Sequence, residues 1–152
     1  MPERFLAELQ ETLDREIPMC VHMGIRVHSY GEQGVTMRAP LDGNRNHQNT
    51  AFAGSLNALC TVAGWACVFL LIRSHGLPGD IVIRRSSIKY LKPVDCPQIF
   101  ACCRRVEDRE RSFFVEMLAD KGQAKIDVRV EIAVEKETAV SFSGSYVVFA
   151  RS

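Results

Sequence analysis

The residues best placed to do chemistry lie between positions 42 and 61 of the 152-residue chain. Residues 42–50, DGNRNHQNT, are polar and asparagine-rich, and they run into a segment with no charged side chain from Ala51 to Ile72. That segment reads as a helix from about Ser55 to Ser74, closed by His75 and Gly76 with Pro78 just beyond. A helix start offers unpaired backbone N–H groups and the positive end of the helix dipole, which together polarise a carbonyl oxygen. Gly54 sits at this start, where the lack of a side chain lets a substrate approach the backbone. Its N–H is the favoured oxyanion donor. The plainer alternative is that Gly54-Ser55 merely begins the helix, with Ser55 as its N-cap.

Around this point, Asn46 is a loop amide able to position water or substrate, whereas Asn44 and Asn49 suit turns. His47 is the one histidine close in sequence to the helix start and could serve as acid or base, against the reading of a solvated loop side chain. No GxSxG elbow, GxxxxGK[ST] phosphate loop or HExxH zinc motif occurs. The six cysteines form no CxxC pair and have no zinc-ligand spacing with histidine, so no metal or prosthetic group is expected. Cys60 and Cys67 read as small buried hydrophobes.

Elements to hold these residues are legible on both sides. Phe5, Leu6, Leu9 and Leu13 have helical spacing within residues 3–16, with Pro18 limiting continuation. Short strands follow at 25–30 and 35–41, where Val35, Met37, Ala39 and Leu41 alternate. After the long helix come strands at 81–91 and 98–106. A short surface helix past Glu107 carries Phe113, Met117 and Leu118. Ile126, Val128, Val130, Ile132 and Val134 alternate with charges in the next strand. A turn at 135–138 leads to a last strand whose Val140, Phe142, Gly144, Tyr146 and Val148 share a face. Strands grouped on both sides of one apolar helix predict an α+β fold in a single domain over 1–152, with the sheet curled about the helix.

The formal net charge of +1 gives no electrostatic reason to expect nucleic acid or an anionic membrane as partner. The uncharged run is long enough to span a bilayer, but Gly54, Ser55, Asn57, Thr61 and Gly64 weaken its first half. A helix buried inside the fold is the better account, and without a signal-peptide pattern a reduced, cytoplasmic setting is expected.

Two stretches together, NRNHQNTAFAGSLNALCTVAGWA (44–66) and IVIRRSSIKYLKPVD (81–95), resemble hotdog-fold thioesterases. They look closest to a bacterial thioesterase family that also occurs as the C-terminal domain behind acetyltransferase-like domains. The shared pieces are Asn44 and Asn46, Thr50, Phe52, Gly54-Ser55-Leu56, Ala63-Gly64-Trp65 and the strand end at 88–94. The resemblance covers nearly the whole chain. It implies a long central helix wrapped by a curved antiparallel sheet, a homodimer or dimer of dimers, and a substrate that is a thioester of CoA or an acyl carrier.

The resemblance also implies roles. Thioesterases of this fold commonly use a carboxylate on this helix, or polar side chains around it, to activate water; where a related subgroup has an aspartate, this sequence places Thr61. Thr61 can hold a water but is a poor base, or it bonds back to its own helix. The catalytic candidates are thus Asn46, Gly54 and Thr61, with His47, Thr50, Phe52 and Ser55 expected to line the substrate. Arg84, Arg85, Ser86 and Ser87 interrupt an apolar strand and could meet the phosphates or pantetheine arm of CoA, or a subunit contact. The absent helix carboxylate keeps open a non-catalytic module that binds acyl-CoA. A hotdog dehydratase would resemble a histidine–acid pair at the site, and no such pair is found.

Overall fold

A computed structural model of the chain describes residues 3–150. Its elements are, in order, α1 (Glu3–Glu16), α2 (Pro18–Met23), β1 (Arg26–Gly31), β2 (Gly34–Pro40), α3 (Ala53–Ser74), β3 (Asp80–Tyr90), β4 (Gln98–Arg104), α4 (Asp108–Lys121), β5 (Gln123–Val134) and β6 (Glu137–Phe149). The strands form one antiparallel sheet in the order β1-β2-β4-β5-β6-β3, and α3 packs against β2 through β6. This is the helix-in-curled-sheet architecture expected from the sequence.

Periodicity explains the fit. In β5 the residues Ala124, Ile126, Val128, Val130 and Ile132 are buried while Lys125, Asp127 and Arg129 between them face water. In β6 the buried row is Val140, Phe142, Gly144, Tyr146 and Val148. Against these faces α3 buries residues around most of its circumference, among them Leu56, Leu59, Cys60, Val62, Ala63, Ala66, Val68 and Leu70. At 22 residues, with an 18-residue stretch of mean hydropathy 1.9, it would suit a membrane, yet 67% of that stretch is buried inside the fold. Glycine makes one of these contacts possible. A Cβ on Gly64 would come within 2.3 Å of the Tyr146 hydroxyl, which instead donates to the Thr61 carbonyl at 2.6 Å.

The N-terminal segment lines up along α3. Leu9 and Leu13 of α1 are fully buried, and Glu8 pairs with Arg73 in the last turn of α3. The Gln10 side chain completes the start of β1, accepting from the Val27 N–H at 2.7 Å and donating to the Ile25 carbonyl. Pro18 does more than stop α1. It opens α2, a six-residue helix that the sequence reading missed, ended by Gly24 at φ 73°. A further correction concerns α4, where Phe114 and Leu118 are buried while Phe113 is 65% exposed.

Candidate active site

The polar loop before α3 is held by its own asparagines. Asn44 is buried, and its amide donates to the carbonyls of Met23 and Pro40 at 2.9 and 2.8 Å. Its backbone carbonyl accepts the Phe52 N–H at 2.8 Å. Asn46 closes the next turn, with Oδ1 accepting from the Gln48 and Thr50 N–H groups and Nδ2 donating to Thr50 Oγ1 at 2.8 Å. Asn49 adopts φ 63°, the left-handed conformation that asparagine tolerates. The Ala51 N–H then bonds the Val94 carbonyl, tying the loop to the segment after β3.

This clasp delivers the chain to α3 two residues earlier than the sequence suggested. Phe52 occupies the N-cap position and provides no side-chain cap. Ser55 is therefore inside the first turn and not the cap. The first backbone bond of the helix runs from the Leu56 N–H to the Phe52 carbonyl, so the N–H groups of Ala53, Gly54 and Ser55 form the uncapped start. The half-exposed Phe52 ring lies across Gly54, where a Cβ would meet it at 2.4 Å. A side chain at position 54 would have to displace this ring.

Beside the first turns of α3 is an apolar cavity of about 340 Å³. One stripe of the helix, Gly54, Asn57, Ala58 and Thr61, forms one wall, and Met19, Cys20, Met23 and Ile25 contribute the other. The structure thus brings Gly54 and Thr61 together. Thr61 Oγ1 donates back to the Asn57 carbonyl at 2.8 Å, which leaves its oxygen free to accept from a water. The Asn57 side chain has no hydrogen-bond partner among the described residues and lines the same cavity. Among the described residues, no carboxylate lines it.

The remaining candidates separate from this wall. Asn46 and Thr50 spend their side chains on each other in the loop, and His47 is exposed there. Arg84 sits at a bulge in β3, between Ile83 and Arg85. Arg85 and Ser87 pair with Ser145 and Ser143, which lie opposite Asp127 and Arg129 on the outward face of the sheet. There, with α4, they line a separate polar groove of about 980 Å³. Strand alternation turns Arg85 and Ser87 outward, away from the helix start within one chain, onto a face open to a CoA arm or a subunit contact.

Two residues near the helix start were missed. Tyr90, in register with Val140 on the inner face, donates its hydroxyl to the Ala53 carbonyl at 3.2 Å. Asn57 lies three residues past Gly54 and four before Thr61, so helical spacing alone could have found it.

Comparison with known proteins bears on the family and the fold. Residues 6–150 match the family model described as "Putative thioesterase (yiiD_Cterm)". A solved protein of unknown function from Chlorobaculum tepidum is 26% identical, with a TM-score of 0.93 over 99% of this chain and 97% of its own. A "putative thioesterase" from Shewanella oneidensis is 27% identical, with a TM-score of 0.87 over 99% of this chain and 100% of its own. A thioesterase from Haemophilus influenzae is 16% identical, with a TM-score of 0.71 over 95% of this chain and 90% of its own, a likeness of fold. The fold is the hotdog.

Proposed function

The chain belongs to the thioesterase family whose model it matches over residues 6–150, and from that membership we propose that it hydrolyses acyl thioesters, with CoA or an acyl carrier as the leaving thiol. One observation carries the reading: the uncapped start of α3 opens beside an apolar cavity lined by Gly54, Asn57 and Thr61. The thioester oxygen would sit at the Gly54 N–H, where the helix dipole favours the developing oxyanion. The acyl group would take the apolar space between α2 and α3. Water would be held between Thr61 Oγ1 and the Asn57 amide, neither of which is a strong base at neutral pH. Asn46 and Thr50 would act by holding the loop that sets the helix start.

The working unit we favour is a homodimer. β3 ends the sheet as an eleven-residue edge strand, with Val82 48% and Ile83 38% exposed. A long edge of this kind, with apolar residues exposed near its start, invites pairing with another strand. The Tyr90–Ala53 bond puts the end of this edge beside the start of α3, so a copy paired there would reach the site. A reduced, cytoplasmic setting remains the matching proposal for location.

The lack of a carboxylate among the described residues of the cavity favours one second reading, a module that binds acyl-CoA without cleaving it. Release of free thiol from short, long and aromatic acyl-CoAs separates the two, with a no-substrate control for the protein's own six cysteines. Hydrolysis of at least one class is expected, reduced about tenfold or more in Thr61→Ala and Asn57→Ala, or about 1.4 kcal/mol of transition-state stabilisation. Stabilising binding with no turnover of any acyl-CoA would sink the thioesterase reading in favour of the binding module.

A further inference from the structure

A second cavity, of about 610 Å³, lies at the opposite end of α3. Leu71 of α3, which lines it, is 17 residues beyond Gly54, roughly 25 Å along the helix at 1.5 Å per residue. It is separate from the candidate active site, with no lining residue in common. Its wall is built from α1, the β1–β2 hairpin, the last turns of α3 and the residues leading into α4.

The lining divides by chemistry. Cys67, Leu71 and Val106 supply buried or half-buried apolar surface. Around them stand Arg4, Arg105 and Arg111, with His75 at the helix end, and the Arg4 guanidinium lies over the ring of Phe5, which also lines the cavity. No Asp or Glu lines this space among the described residues. Arg111 is already paired with Asp108, but neither Arg4 nor Arg105 has a carboxylate partner among the described residues. Two arginines without a carboxylate partner, lining a cavity with an apolar floor, complement a molecule with an anionic head and a hydrocarbon body, and guanidinium suits a planar carboxylate bidentately.

We infer that this cavity is a binding site for a carboxylate-headed amphiphile, with the head at Arg105 and Arg4 and the chain over Leu71 and Val106. A fatty acid is of this class, and so is the acid released by the proposed reaction. Binding here does not depend on that reaction taking place.

The test uses butyrate, octanoate and laurate as probes in calorimetric titration of the intact protein, with octanol and octylamine as comparators. Cys67 lines the cavity and supplies a local readout, since an occupant should shield it from alkylation. At least one carboxylate should bind and slow Cys67 alkylation several-fold, as mapped by mass spectrometry. Arg105→Ala, at an exposed position, should weaken that binding about tenfold while thioester turnover is unchanged. The inference is overturned if no carboxylate binds, if octanol or octylamine binds equally well, or if bound carboxylate leaves the Cys67 rate unaltered. Product bound only at the α3 start would give this last outcome. A protein that binds carboxylate here yet cleaves no thioester would refute the hydrolase reading alone.

Discussion

Asn44 is the side chain on which the geometry of the helix start depends most. Its amide satisfies two carbonyls from separate parts of the chain, and its own carbonyl receives the Phe52 N–H. Replacing it by alanine leaves the Met23 and Pro40 carbonyls short of a donor in a buried place, at a cost of about 1–3 kcal/mol. Urea denaturation of Asn44→Ala should show that loss, and thioester turnover should fall too, because the start of α3 is no longer fixed. Unchanged stability would mean that water replaces the amide. The residue types at this site were readable from the sequence, but their duties only partly so. An asparagine-rich loop before a glycine announces a built turn. Which amide faces inward depends on where Met23 and Pro40 lie, and sequence spacing does not reveal that. Asn57 was open to discovery because it shares a helix stripe with Gly54 and Thr61, but a lone polar residue in an apolar run draws little notice.

Among the elements, those with long, regular patterns were legible: the alternation of β5 and β6, the periodic α1 and the uniform apolarity of α3. α2 was not, since six residues hold under two helical turns and show no period. In β3 the bulge at Arg84 and the outward turn of Arg85 and Ser87 depend on pairing with β6, which is remote in sequence. The same strand carries the assembly prediction. Light scattering should find a dimer at micromolar concentration, and Val82→Lys, which puts a charge on the free edge, should shift it to monomer with an unchanged circular dichroism spectrum. A wild-type protein that is monomeric throughout would remove the edge-paired dimer from consideration.

At the scale of the whole molecule, the core is an unusual store of neutral acids. Burial pushes the Cys20 thiol up to about 11 and the Cys60 thiol up to about 12, from an ordinary 9.0. Cys103 and Tyr146 shift the same way, Cys103 chiefly through its hydrogen bond with Cys67 and Tyr146 chiefly through burial. The folded state keeps these protons longer than the unfolded state, so stability is full below pH 9 and falls as pH climbs from about 9 towards 12. The fall is at most about 1.4 kcal/mol per pH unit for each group. Thermal melts between pH 8 and 11 should show a declining midpoint, and Cys60→Ala should flatten the decline. Cys67 runs the other way, held below its ordinary value by the Cys103 hydrogen bond. It should therefore alkylate faster than Cys20, Cys60 or Cys103, and equal rates would contradict the pairing.

The order in which the chain is made gives the strand arrangement another meaning. α3 is complete at Ser74, while β3 has β6 as its one neighbour in the sheet, and β6 ends at Phe149. A ribosome moving at about 5–20 residues per second needs roughly 4–15 s to cover that distance. Throughout it, a helix apolar enough to enter a bilayer is without most of its wrapping. Nascent-chain holdases, and the machinery that sorts hydrophobic helices to membranes, thus meet this protein as a membrane candidate first and as a hotdog only once the last strand has emerged.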